Sequence, residues 1–165
     1  MYGCIRCREI SCISRSLVMF KYNSFLFKYL PSAWLCGVRV RDLNDKKCII
    51  TVKHNWFNSN PFKSLYWAVQ GMASELATGL AIIDFANKNS LNISMLVVSN
   101  ESRFLKKAKG KIRFECDEVS KIKKTLSTLS KNKTTDKIKL KSTAYDESGD
   151  VVSEFIYEWS FKLKL

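Results

Sequence analysis

Hydrophobic and polar positions along the chain change period several times, and each change predicts an element. Cys36, Val38 and Val40 alternate with Gly37, Arg39 and Arg41, the two-residue repeat of a half-buried strand, and Lys47–Lys53 returns as its hairpin partner after the turn at Leu43-Asn44-Asp45-Lys46. From about Pro61 to about Asn87 the pattern predicts a long helix that is apolar all round, with Glu75 the only charge between Leu65 and Ile83. Asn60 and Pro61 are expected to serve as its N-cap and first helical residue. Ile93–Ser99 is a continuous apolar run, predicting a strand covered on both faces. Ile112, Phe114 and Cys116 alternate with charged residues, Val119, Ile122, Leu126 and Leu129 form a helical stripe, and Ile138 and Leu140 open a strand running to about Asp146. In the last strand Phe155, Tyr157, Trp159, Phe161 and Leu163 share one face.

A helix apolar on every side is either enclosed by protein or buried in lipid. Gln70, Ser74, Glu75 and Thr78 in mid-segment, and strands on both sides, favour enclosure, with no membrane span. One sheet must then cover most of the circumference of one helix. The expected class is α+β, a curved antiparallel sheet wrapped around a long central helix.

Composition narrows the class of protein. At 165 residues, 46% hydrophobic and with only two Pro and six Gly, the chain fits one packed domain and is neither disordered nor fibrous. Six cysteines without a signal-peptide pattern read as reduced thiols in an intracellular, cytoplasmic protein. Cys4-x-x-Cys7 with Cys12 nearby has zinc-like spacing, but a structural zinc needs four ligands and no second pair or His flanks it, so no metal is expected. Residues 1–18 differ from the rest and read as a leader or a non-native extension, leaving 19–165 as a single domain; within it, Phe20–Leu30 suggests a short helix or lid stopped by Pro31. Isolated Gly110 and Gly149 make no phosphate loop, and the single His54 assembles no catalytic triad, so no cofactor is expected either.

The stretch Trp56 to Gly79, with Asn60-Pro61-Phe62 leading into the long helix, resembles the central-helix motif of a bacterial hotdog family of uncharacterised thioesterase-like domains. Ile93–Val98 and Phe104–Ile112 resemble its following strands, and the likeness covers about Phe20 to Leu165. It implies the hotdog fold. More distantly the chain is similar to phenylacetate-pathway-type acyl-CoA thioesterases, whose motif runs Asn-Pro-Phe, a gap, His-Gly-Gly, then an acid on the helix. Asn60-Pro61-Phe62 match and the acid falls on Glu75, while Tyr66, Trp67 and Ala68 stand where that motif has His-Gly-Gly.

The resemblance implies thioester hydrolysis of an acyl-CoA or acyl carrier protein substrate. The backbone N–H of Trp67 would hold the oxyanion, and Glu75 would act as base or nucleophile. Eight residues of helix span about 12 Å, so the two cannot serve one carbonyl from the same chain. The similar families solve this with a site between subunits, which implies a homo-oligomer, a dimer or a tetramer of dimers. Asn58, Asn60, Tyr66, Ala68 and Gln70 are candidate substrate-binding residues. Four of them also have a structural alternative: a cap for Asn60 and Asn58, core or interface for Tyr66, a partner for Glu75 in the case of Gln70. Glu75 itself is either the catalytic acid or a polar group of an interface. A non-catalytic hotdog domain binding acyl or other apolar ligands is the alternative function.

With 28 Lys+Arg against 15 Asp+Glu the net charge is +13, and lysines recur from Lys106 to Lys141. This reads as a solvated face, or as attraction for coenzyme A phosphates or an acidic carrier protein. Nucleic acid is the weaker partner, since the aromatics Phe155, Tyr157 and Trp159 look inward and offer no stacking platform.

Overall fold

The computed structural model describes residues 5–129 and 134–164, with side chains described from Ser16 onward. Helix α1 (Ile5–Tyr29) and the short α2 (Pro31–Leu35) precede the hairpin β1 (Arg39–Leu43) and β2 (Cys48–Lys53). The central helix α3 (Trp67–Lys88) leads into β3 (Ile93–Phe104) and β4 (Lys111–Cys116). Then come α4 (Val119–Ser127), β5 (Thr135–Tyr145) and β6 (Val151–Leu163). All strand pairs are antiparallel, in the order β1-β2-β4-β5-β6-β3. The sheet curls around α3, which touches β2, β4, β5 and β6. This is the hotdog fold.

The alternation in β6 does what its sequence demands. Phe155, Tyr157, Trp159 and Phe161 are buried against α3, each contributing about 1.5–3 kcal/mol of apolar transfer if fully covered. The stripe on α4 buries Val119, Ile122 and Leu126 as expected. Cys48 and Cys116, paired across β2 and β4, are free and buried; burial pushes both thiols up, Cys116 to about 12, so they act as small hydrophobes. The side chains of Cys4, Cys7 and Cys12 lie outside the described residues.

The two edges of the sheet differ. At the β1 edge, Asn23 of α1 accepts from Val40 N–H at 3.0 Å and donates to Val40 C=O at 3.1 Å, so a side chain occupies the groups a further strand would need. The β3 edge carries no such cap among the described residues. Here the sequence expectation needs correcting: Ile93, Met95 and Val97 are half-buried, but Leu96 and Val98 are 67% and 47% exposed. An apolar run predicts cover on both faces, whereas β3 is the last strand of the sheet and has one face open in the single chain.

Several of the outer-face lysines are matched by carboxylates of neighbouring strands and turns. Lys141 meets Glu154 at 2.5 Å, Lys137 and Lys139 flank Glu158, and Lys106 bridges Asp146 and Asp150. Such pairs contribute about 0–1 kcal/mol each and describe a solvated face.

Candidate functional site

The loop before α3 consumes its polar residues in building itself. Asn55 caps a 3-10 turn over Trp56–Asn58. Asn58 is buried; its amide donates to the carbonyls of Cys36 and Lys53, both at 2.9 Å, and its Oδ1 accepts from Asn55 N–H at 2.8 Å. His54 meets the Ser59 hydroxyl at 3.0 Å, within the same loop.

Asn60 does not cap α3, which begins at Trp67 with no side-chain cap at Tyr66. Its Oδ1 instead accepts from Phe62 N–H and from the N–H and hydroxyl of Ser64, closing a tight turn with Lys63 at φ 57°. The reason is local: Asn followed by Pro is as good a start for a turn as for a helix. Here Leu65 N–H is drawn to Ala108 C=O at 2.8 Å and Tyr66 N–H to Asn58 C=O at 2.9 Å, which holds residues 61–66 out of the helix.

That delay places the start of α3 beside an open cavity of about 380 Å³, lined by Asn60, Trp67, Gln70, Phe104, Lys106 and Lys107 among others. Trp67 and Ala68 are the first helical residues, so their N–H groups have no acceptor in a preceding turn. Trp67 is 58% exposed, its ring meeting that of Tyr66 edge-to-face with centroids 6.0 Å apart.

Glu75 lies elsewhere. It belongs to a second cavity, of about 490 Å³, between α3 and the corner where α1 turns into α2. Its carboxylate has no hydrogen-bond or ion-pair partner among the described residues. It is open to solvent at the rim, yet the apolar groups crowded around it strip enough hydration to raise its pKa above the ordinary carboxylate value. Within one chain the structure therefore gathers Asn60, Trp67 and Gln70 at one cavity and sets Glu75 in another.

Gln70 does not pair with Glu75 in the chain. It is buried, donates to Leu65 C=O at 3.1 Å and accepts from the Ser153 hydroxyl at 2.8 Å. It is the first of three clamps. Ser74 shares a 2.7 Å bond with Tyr157, whose hydroxyl lies 3.1 Å from Gly71 C=O; burial pushes Tyr157 up to about 12, so it stays a neutral donor. Thr78 accepts from the Trp159 indole N–H at 3.1 Å. Gln70, Ser74 and Thr78 recur every four residues, and all three reach β6. This seam fixes the rotation of α3 and so aims Glu75 away from the sheet. Sequence reasoning counted Ser74 and Thr78 only as evidence against a membrane span and took Gln70 for a substrate contact or a partner of Glu75; their spacing of four was the signal that marked all three as one face.

Residues 22–160 match the family model described as a domain of unknown function, DUF4442. The chain belongs to that family. No curated protein matches the chain. Among solved structures, a Chlorobaculum tepidum protein of unknown function superposes with a TM-score of 0.78 at 14% identity, over 91% of this chain and 97% of its own. A Pseudomonas aeruginosa protein of unknown function, PA5026, described as a probable thioesterase, gives 0.73 at 19% identity over 88% and 96%. A mutant of the thioesterase PA1618, also from Pseudomonas aeruginosa, gives 0.67 at 10% identity over 88% and 94%. At these identities the likeness is one of fold. The solved structures thus share the frame on which Glu75 and the start of α3 are mounted here. No described helix is long and apolar enough to cross a membrane.

Proposed function

We propose that this family member is a thioesterase-like hotdog protein that hydrolyses an acyl-CoA or acyl carrier protein thioester at a site shared by two subunits. The observation that carries the reading is the division of one helix. N–H donors without an acceptor among the described residues stand at its start, and an unpartnered carboxylate with a raised pKa stands about 12 Å further on, each at its own cavity. Neither cavity holds both halves of the chemistry. A second copy joined at the β3 edge would supply the missing half to each, and that edge is the uncapped one, with Leu96 and Val98 bare.

In this reading the Trp67 N–H, with Ala68 beside it, receives the developing oxyanion at the positive end of the helix, and Glu75 of the other subunit attacks or activates water. Asn60 and Gln70 act on substrate through the loop and helix start that they hold; Asn58 does so at one remove, by buttressing the loop. Trp67 flanks the entry with the Tyr66 ring against it, and Lys107 on its rim suits a phosphate or an acidic carrier.

The Trp67 side chain also favours a second reading, an acyl-binding module without turnover, because it stands where the similar enzymes carry glycine and narrows the approach to the N–H donors. A panel of acyl-CoA thioesters with free-thiol detection separates the two. Hydrolysis reduced about 10²- to 10⁴-fold by Glu75→Gln supports the enzyme. Turnover undiminished in that variant removes Glu75 from catalysis, and no turnover at any chain length leaves the binding module. Val98→Lys should yield a monomer by sedimentation and abolish turnover with it.

A further inference from the structure

The cavity at Glu75 has a shape as well as a charge, and the shape selects an acyl group. Its floor is a single stripe of α3: Met72, Glu75, Gly79 and Ile83. Its roof is the α1–α2 corner, where Phe25, Leu30 and Ala33 face the stripe. That roof is fastened to the floor helix by the Tyr22 hydroxyl, which donates to Asp84 at 2.9 Å. One side wall is the Trp159 ring, seated against Gly79 midway along the floor so closely that a Cβ there would lie 3.1 Å from the indole.

Two consequences follow. Among the described residues Glu75 is the only charged one of the lining and Ser32 the only other with a free-standing polar side chain, so this lining solvates hydrocarbon and offers little to a polar acyl group. The floor is also long: from Glu75 to Ile83, both in the lining, is eight residues, about 12 Å of helix axis, the extent of about ten carbons in an extended chain. A ring-bearing acyl group would fill about half of that length.

We infer that this cavity is the acyl pocket, that it takes a linear, medium-chain acyl group with its carbonyl end at Glu75, and that Ile83 measures the chain. The inference rests on the thioester reading for its orientation but not for its occupancy. Binding of hydrocarbon along the stripe can be measured whether or not a thioester is ever cut.

Saturated fatty acids from four to eighteen carbons, and phenylacetate, titrated calorimetrically into the full chain provide the test. Affinity should rise about fourfold per added carbon up to about ten carbons and then stop rising, with phenylacetate far weaker than the ten-carbon acid. Ile83 is half-buried at the far end, so the fold should tolerate its replacement. Ile83→Trp should move the break to shorter chains and Ile83→Ala to longer ones. Affinity indifferent to length, phenylacetate as tight as the ten-carbon acid, or a break unmoved by both variants would each overturn the inference. A break near ten carbons in a protein that hydrolyses no thioester upholds the pocket and removes the enzyme reading. Hydrolysis without any length dependence does the reverse.

Discussion

The two sides of α3 both carry polar side chains, with opposite fates. Toward β6 it presents Gln70, Ser74 and Thr78, and every one is answered by Ser153, Tyr157 or Trp159. Toward the outside it presents Ala68, Gly71, Met72 and Glu75, none fully buried, and the one polar side chain among them has no partner among the described residues. A buried polar group left unmatched costs about 1–3 kcal/mol, so the matched side reads as structure. The unmatched carboxylate on the other side is where function has to be sought. The same logic separates the sheet edges: β1 is closed by Asn23, β3 is left to be used.

Breaking the matched side should have the largest effects. Trp159→Ala removes a buried ring, empties the space above Gly79 and strips Thr78 of its donor. It should cost about 3–5 kcal/mol, read from the urea midpoint at constant slope. Gln70→Ala leaves the Ser153 hydroxyl without its acceptor and Leu65 C=O without its donor, both beside the start of α3. A loss of about 1–3 kcal/mol is expected, and a loss near zero would show that the seam does not hold the helix.

How much of this was legible beforehand depends on whether a feature is local or collective. The wrapped helix, the inward face of β6 and the stripe on α4 could be read because periodicity is a local imprint of burial. Glu75 stood out for a similar reason, as a lone charge in an apolar helix. The start of α3 was misread because Asn60-Pro61 fits two local structures, and a hydrogen bond from Leu65 to the distant Ala108 helps decide between them. The open face of β3 was invisible for the same reason: which strand ends up last in the sheet is a property of the whole topology. The partition of the candidate residues between two cavities needed coordinates, since it turns on which side of the helix faces β6.

One substitution placed on both sides sharpens the contrast at about 1 kcal/mol. A Cβ on Gly71 would meet nothing within 4 Å, so Gly71→Ala should gain about 1 kcal/mol of helix propensity in the denaturant midpoint. At Gly79 the same Cβ would press on the Trp159 ring at 3.1 Å, a ring held by its own hydrogen bond, so Gly79→Ala should show no such gain. Equal gains at the two sites would mean that Trp159 gives way freely and that the seam is softer than its bonds suggest. If Gly71 faces a second copy, its alanine variant should also dissociate more readily on dilution while being the more stable chain.

The smallest effect expected is a slope with pH. The Glu75 carboxyl binds its proton more tightly in the folded chain than in the unfolded one, because folding strips its hydration without supplying a partner. Between the ordinary carboxylate value and the raised one, the folded state therefore holds more proton, and stability falls as pH rises through that window. Below the window the group is neutral in both states and contributes no slope; above it the penalty is complete and constant. Glu75→Gln should erase this descent, leaving the variant level with the parent in acid and slightly more stable at neutral pH. The gap is modest because the carboxylate reaches solvent at the rim. Chemical denaturation of parent and variant at a series of pH values across the window checks it. A variant less stable than the parent at neutral pH would mean that Glu75 is matched after all, by a neighbouring copy, and is a structural element of the interface.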